Sequence, residues 1–396
     1  DLVKGSWTIS ADDKVIQSGA LNNLDIEPGQ SKQITLPVDA IEPEPGVEYF
    51  LDLSFVLKDE QSWASAGHEI AWEQFMLPFE EPPATTDTSQ MPSLKLDNKE
   101  NEIRIDGTDF SVVINNASGF LSSMLYKGTE LIAEPLMPDF WRAPTDNDRG
   151  NNMPRRCGIW RTAMQSWKPQ KFTVTQLSPQ LIQISTVSGI EDVNGTYKLN
   201  YLIYGDGTIL IDAESQADAE NLPEMPRFGM RMALPQGFET LRWFGRGPQE
   251  TYWDRCDARV DLYQGTVEEQ WFEYSEPTET GNKVDVRWAA LTNDEGVGLL
   301  AVGMPLLSVN ALHYKAEDLE GPEHFYEVRR RDNIYLNLDY RQMGVGGDDS
   351  WGARTHPEFT LPGNEMYKYS FMLRPYDSSM GDVRKVARFA KPKFAR

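Results

Sequence analysis

Apolar side chains recur at every second position through most of this chain, and that period of two constrains the fold more than any other feature. From about residue 94 onward, Ile103 and Ile105 keep strand spacing, as do Phe110, Val112 and Ile114. The same holds for Phe228, Met230, Met232 and Leu234, for Val284, Val286 and Trp288, and for Ile334, Leu336, Leu338 and Tyr340. Residues 197–203 and 209–213 flank Gly205-Asp206-Gly207, a hairpin signal. Helical periodicity is scarce, and the strand–helix alternation of a (β/α)8 barrel is absent. So long a run of strands predicts an all-β fold with many strands in two large facing sheets. No repeat indicating a propeller is present.

The chain has 396 residues, too many for one ordinary core, so two domains are expected. Residues 1–80 carry their own short strands, at Leu2, Val3, Trp7 and Ile9, at Ile34, Leu36 and Val38, and from Tyr49 to Leu57. Pro28-Gly29 and Pro45-Gly46 punctuate them. This pattern predicts a small immunoglobulin-like sandwich. Residues 81–93, beginning Glu81-Pro82-Pro83, read as a linker, 94–380 as the large antiparallel sandwich and 381–396 as a basic tail. In that tail, Arg384, Lys385, Arg388, Lys391, Lys393 and Arg396 are expected to be solvated, without acidic neighbours. The strand-like start directly after Asp1, with no leader, reads as a cut in a longer polypeptide.

Charge narrows the function. Thirty-eight basic against 61 acidic residues give a net charge of -23, which repels nucleic acid and anionic lipid and suits a soluble protein with a neutral substrate. No run of eighteen apolar residues proposes a membrane span. Two cysteines, Cys157 and Cys256, make neither a disulfide framework nor a metal cluster, and lean toward a reducing compartment.

Three segments carry chemistry. In Gly344-Val345-Gly346-Gly347-Asp348-Asp349-Ser350-Trp351-Gly352 the glycines permit a tight loop, and no Gly-Lys-Ser/Thr ending makes it a phosphate loop. It presents carboxylates, a hydroxyl and an indole, the combination that binds sugars by their hydroxyls and their C–H face. A core tryptophan beside turn-forming aspartates is the competing reading. Arg142-Ala143-Pro144-Thr145-Asp146-Asn147-Asp148-Arg149-Gly150 is rich in oxygen but fails the spacing of a calcium loop. It reads as a polar loop locked by Arg142 or Arg149. The run from Gly247 to Arg255 places Glu250 near Asp254, a pair best satisfied by Arg246 and Arg255. His68, His313, His324 and His356 lack metal-ligand spacing, although His313 or His324 with a glutamate could move a proton.

Arg-Ala-Pro-Thr-Asp-Asn-Asp at 142–148, Gly-Pro-Gln-Glu-x-Tyr-x-Asp-Arg at 247–255 and Gly-Gly-Asp-Asp-Ser-Trp at 346–351, in that order, resemble the C-terminal domain of bacterial family 2 β-galactosidases. Pro277-x-Glu279-x-Gly281-Asn282 and Leu336-Asn337-Leu338-Asp339 fit the same pattern. The resemblance implies a galactose-mutarotase-like sandwich preceded by an immunoglobulin-like domain. It implies a retaining enzyme whose catalytic glutamates lie on a barrel outside this chain, with no catalytic residue here. Magnesium or sodium would belong to that barrel, leaving no cofactor or metal here. Trp351 would line the sugar-binding cleft, with Asp348 and Asp349 shaping its loop and Arg142, Asp146 and Asp148 as weaker ligand contacts. The implied partners are a β-galactoside or galactose, the N-terminal and barrel domains, and further copies in a homo-oligomer, in the cytoplasm or periplasm. An autonomous galactose-binding module and a mutarotase-like epimerase are the competing functions.

Overall fold

A computed structural model describes residues 2–349 and 351–388. They divide into two compact units, one ending at Thr86 and including Arg388, the other Asp87–Ala387.

The first unit holds β1 (Val3–Ala11), β2 (Lys14–Leu21), β3 (Tyr49–Leu57) and β4 (Glu69–Met76), an antiparallel sheet in the order β2-β1-β3-β4. Trp7, Ile9 and Leu21 form its buried centre. Gly19 faces Trp7 across the ladder, where a Cβ would stand 2.7 Å from the indole nitrogen, so only glycine fits. The strand expected around Ile34, Leu36 and Val38 joins no ladder. Ile34 and Leu36 still pack against the Trp7 cluster. Alternation reports one-sided burial, and an extended segment laid on a sheet satisfies it without strand pairing.

The second unit is built from seventeen strands. They are β5 (Lys95–Asn98), β6 (Glu102–Asp106), β7 (Phe110–Asn115), β8 (Leu121–Tyr126), β9 (Thr129–Glu130), β10 (Glu134–Asp139), β11 (Trp167–Ser178), β12 (Leu181–Ile190), β13 (Gly195–Tyr204) and β14 (Ile209–Ala217). The series continues with β15 (Arg227–Leu234), β16 (Thr240–Gly247), β17 (Arg259–Thr266), β18 (Lys283–Thr292), β19 (Val297–Leu312), β20 (Ile334–Gln342) and β21 (Tyr367–Asp377). Four helices of four or five residues, α1 (Asp146–Gly150), α2 (Met153–Arg156), α3 (Gly158–Thr162) and α4 (Val383–Ala387), are the only α-helices among the described residues.

Strand pairing makes two antiparallel layers. One runs β11-β12-β13-β14-β21-β19-β18-β16-β17. The other runs β19-β20-β15-β10-β8-β7-β6-β5. The sixteen-residue β19 belongs to both, pairing with β21 through Met304 and with β20 from Ser308. A strand that bends between sheets is how a sandwich makes a corner. Ile105, Val112 and Leu121 from one layer share a core with Ile184, Tyr201 and Ile211 from the other.

The tail differs from expectation. Val383–Ala387 is helical, Arg384 pairs with Asp382 at 2.6 Å, and Arg388 pairs with Asp12. Lys391, Lys393 and Arg396 lie outside the described residues.

Candidate functional site

Thr145 caps α1, taking a hydrogen bond from the Asp148 amide while the Asp148 carboxylate takes one from the Thr145 amide. The segment read as a loop is therefore a short helix. Arg142 is fully buried and grips Asp148 with Nε at 3.2 Å and Nη2 at 3.0 Å. Its other face donates to the carbonyl of Met343 and, at 2.9 Å, to that of Gly344. Asn147 adds a bond to the Val345 carbonyl at 3.1 Å. The planar guanidinium suits this task because it satisfies a carboxylate and two carbonyls at once. Arg142 and Asp148, at 0% and 2% exposure, hold the glycine loop rather than face a ligand, which corrects their expected role as weak ligand contacts. Asp146 is exposed and meets Arg149 at 3.3 Å.

The third motif closes the base. Asp254 accepts from the Gly346 amide at 2.8 Å, and a Cβ on Gly344 would fall 2.6 Å from the same carboxylate oxygen. Arg246 pairs with Asp285 at 2.6 Å rather than with either acid of the expected Glu250 and Asp254 set. Glu250 meets Arg255 at 2.5 Å and Tyr274, Thr280 and the Gly281 amide through both its oxygens. A carboxylate engaged by four donors ties this part of the site together.

Above this base the loop turns on Asp349, whose Oδ1 accepts from the amides of Trp351 at 2.8 Å and Ala353 at 3.2 Å. Those two amides hold the Asp349 carboxyl below its usual range. Asp348 receives a bond from His356 Nε2 at 2.8 Å, and this contact raises the imidazole pKa. Ser350 lies outside the described residues. The Trp351 indole is 90% exposed, more than any other large apolar side chain among the described residues. The core-tryptophan reading is thereby excluded. A cleft of about 250 Å3 opens between α1 and the Glu250 hub, lined by Thr145, Asn147, Tyr274, Thr278 and Val345. Thr278 fills the first unspecified position of the Pro277–Asn282 motif and was not singled out there, and nothing in its immediate sequence context marks Tyr274.

The histidines do not form one site. His313 is 1% exposed, with Nε2 at 2.9 Å from Glu239 and 2.8 Å from Arg330, whereas His324 is exposed and packs edge-on against Tyr326. Both cysteines are free, and burial, then Glu224, pushes the Cys157 thiol up to about 12. Among the described residues no group of three or more His, Cys, Asp or Glu side chains is placed to hold a metal ion, and no helix is long and apolar enough to cross a membrane.

Residues 106–373 match the family described as "Beta galactosidase small chain", and residues 1–78 match "Beta-galactosidase, domain 4". A β-galactosidase of Priestia megaterium is 39% identical over 371 residues, covering 93% of this chain and 36% of that protein. One from Halalkalibacterium halodurans is 33% identical, covering 88% of this chain and 35% of its own length. The chain thus spans about a third of the relatives it matches. A galactose mutarotase-like protein from Lactobacillus casei covers 69% of the chain at 12% identity, with a TM-score of 0.37 and all of its own length matched.

Proposed function

Because the chain belongs to the β-galactosidase small-chain family, we propose that it is the C-terminal part of a family 2 β-galactosidase and completes that enzyme's sugar-binding cleft. The complete enzyme would hydrolyse terminal β-D-galactosides with retention, using two glutamates on a barrel outside this chain. The observation that carries this reading is Trp351: a nearly bare indole on a loop whose base is fixed by Arg142, Asn147 and Asp254. Exposing so large an apolar surface brings no stability to the chain itself, so its contribution lies with something that covers it. A sugar's C–H face fits an indole face, and a rigid base lowers the entropy lost when the ring is fixed. Asp349 fixes the turn that carries Trp351 by accepting from its backbone amide, and Asp348 steadies the loop through His356.

Covering one face of the indole contributes about half of the ~1.5–3 kcal/mol of burying a large apolar side chain, or about three- to tenfold in affinity. Trp351→Ala in the complete enzyme is therefore expected to raise KM for a chromogenic β-galactoside about three- to tenfold, with a smaller change in kcat. An unchanged KM overturns the role of Trp351. The chain alone is expected not to hydrolyse the substrate, and to do so once mixed with the barrel-containing remainder. Hydrolysis by the chain alone would place the chemistry inside it.

A further inference from the structure

One ring nitrogen in the second unit is claimed by two groups with opposite needs. His313 directly follows β19 and is 1% exposed. Its Nε2 lies 2.9 Å from Oε2 of Glu239, which stands just before β16. The same nitrogen lies 2.8 Å from Nη2 of Arg330, in the segment leading to β20. A carboxylate accepts hydrogen bonds and a guanidinium only donates them. Nε2 therefore serves one of the two at a time: with a proton it donates to Glu239, and without one it accepts from Arg330. Nδ1 lies 3.3 Å from the Asn333 carbonyl, an acceptor, so it keeps its proton in both arrangements. A ring protonated on both nitrogens is the cation, and one protonated on Nδ1 alone is neutral. Partner choice thus follows the charge of an imidazole, the side chain that ordinarily titrates between about pH 5 and pH 8.

The surroundings provide for both states. Arg330 also reaches Glu268, beyond β17, with Nε at 3.1 Å, and its Nη2 lies 3.7 Å from Oε1 of Glu239. A charged His313 takes Oε2 of Glu239 and repels Arg330, which retains Glu268. A neutral one draws Arg330 inward. Arg331 is held by Asp318 at 2.6 Å, and Tyr314 stacks on Trp271 with its hydroxyl kept neutral by burial. The segment that Arg330 tethers carries the exposed rings of Phe325 and Tyr326, and its far end is tied by the Arg331 amide to the His313 carbonyl at 3.1 Å.

We propose that His313 is a pH-operated latch: neutral, it accepts from Arg330 and holds residues 325–331, and protonated, it exchanges Arg330 for Glu239 and loosens that segment. The latch is independent of the role given to Trp351. Nitrogen NMR of the 396-residue chain labelled with 15N-histidine reads the proton positions. At about pH 8 the neutral ring is expected to carry its proton on Nδ1. A proton on Nε2 instead overturns the latch. Amide hydrogen exchange of residues 325–331, corrected for the intrinsic effect of pH, reads the consequence. Losing the Arg330 bond is expected to speed exchange about three- to tenfold between about pH 8 and about pH 5.5. His313→Gln and Arg330→Met should both abolish that dependence. Arg330 is 42% exposed, so its variant decides the matter if the buried substitution does not fold. A pH dependence retained in Arg330→Met, or absent from the wild type, overturns the proposal.

Discussion

Replacing Asp339 with asparagine should change how the stability of this protein depends on pH. Arg227, 2% exposed, faces three carboxylates: Asp139 at 3.2 Å, Glu279 at 3.0 Å and Asp339 at 3.1 Å. One guanidinium cannot neutralise three anions in an interior that solvates none of them. Glu279 also accepts from Asn310 and Gln342, each at 3.1 Å, and Asp139 accepts from Asn337 at 3.2 Å. Asp339 receives no hydrogen bond among the described residues and is 0% exposed. Burial, reinforced by Asp139 and Glu279 against the pull of Arg227, lifts its pKa well above the ordinary carboxylate value. The folded protein therefore keeps a proton that the unfolded chain releases above about pH 4. A raised acid of this kind makes stability fall as pH rises from the unfolded pKa toward the folded one, by about 1.4 kcal/mol per pH unit. Asparagine is close in size and supplies an N–H donor without titrating. The stability difference between Asp339→Asn and wild type should thus shift in favour of the variant as pH rises above the ordinary carboxylate range. Urea unfolding followed by tryptophan fluorescence at several pH values measures it. A difference that stays constant with pH would refute the reasoning, because it would mean that Asp339 is ionised in the fold.

Arg142→Met should cost about 3–5 kcal/mol, since it strands the Asp148 carboxylate in the interior and frees two carbonyls. Urea unfolding and limited proteolysis of the 344–352 loop would register it, and a loss below about 1 kcal/mol would argue that the clamp is dispensable. Asp348→Asn should return the raised His356 pKa toward its ordinary value, as followed by the imidazole proton shifts in NMR. The wild-type contact should be complete below the ordinary imidazole range and lost as pH rises through the shifted value. An unchanged titration would mean that Asp348 is not what the ring responds to.

The strands were legible because alternation directly reports one buried face, as in Ile103 and Ile105 of β6. The same rule misleads where both faces are covered. In Leu336-Asn337-Leu338-Asp339 it assigns Asp339 to the polar side, yet that side meets Arg227 and is closed from solvent. The Arg227 cluster was invisible for a second reason: its acids come from positions 139, 279 and 339, which only the folded layers bring together. The helix α1 was hidden by its length of five residues and its aspartates, although the Thr145–Asp148 capping box is readable in hindsight. For Trp351 the residues alone leaned toward a core position and the family resemblance toward a ligand platform, and its exposure speaks against the core.

The buried pair of Arg142 and Asp148 lies beneath the glycine loop and bears on how the loop works. Arg142 joins the segment around α1 to the carbonyls of Met343 and Gly344, and Asp254 joins the 247–255 run to Gly346. Apolar packing of equal volume would be at least as stable, because desolvating ions offsets much of their attraction. It would not fix the loop's position, since apolar contacts are non-directional and tolerate sliding. Directional bonds at three successive residues, Gly344, Val345 and Gly346, leave the backbone one placement. Trp351 then needs only the short turn on Asp349 to point its ring away from the base. Stability forgone in the interior is exchanged for a loop backbone held in position beneath a bare indole, which is what the proposed sugar platform requires.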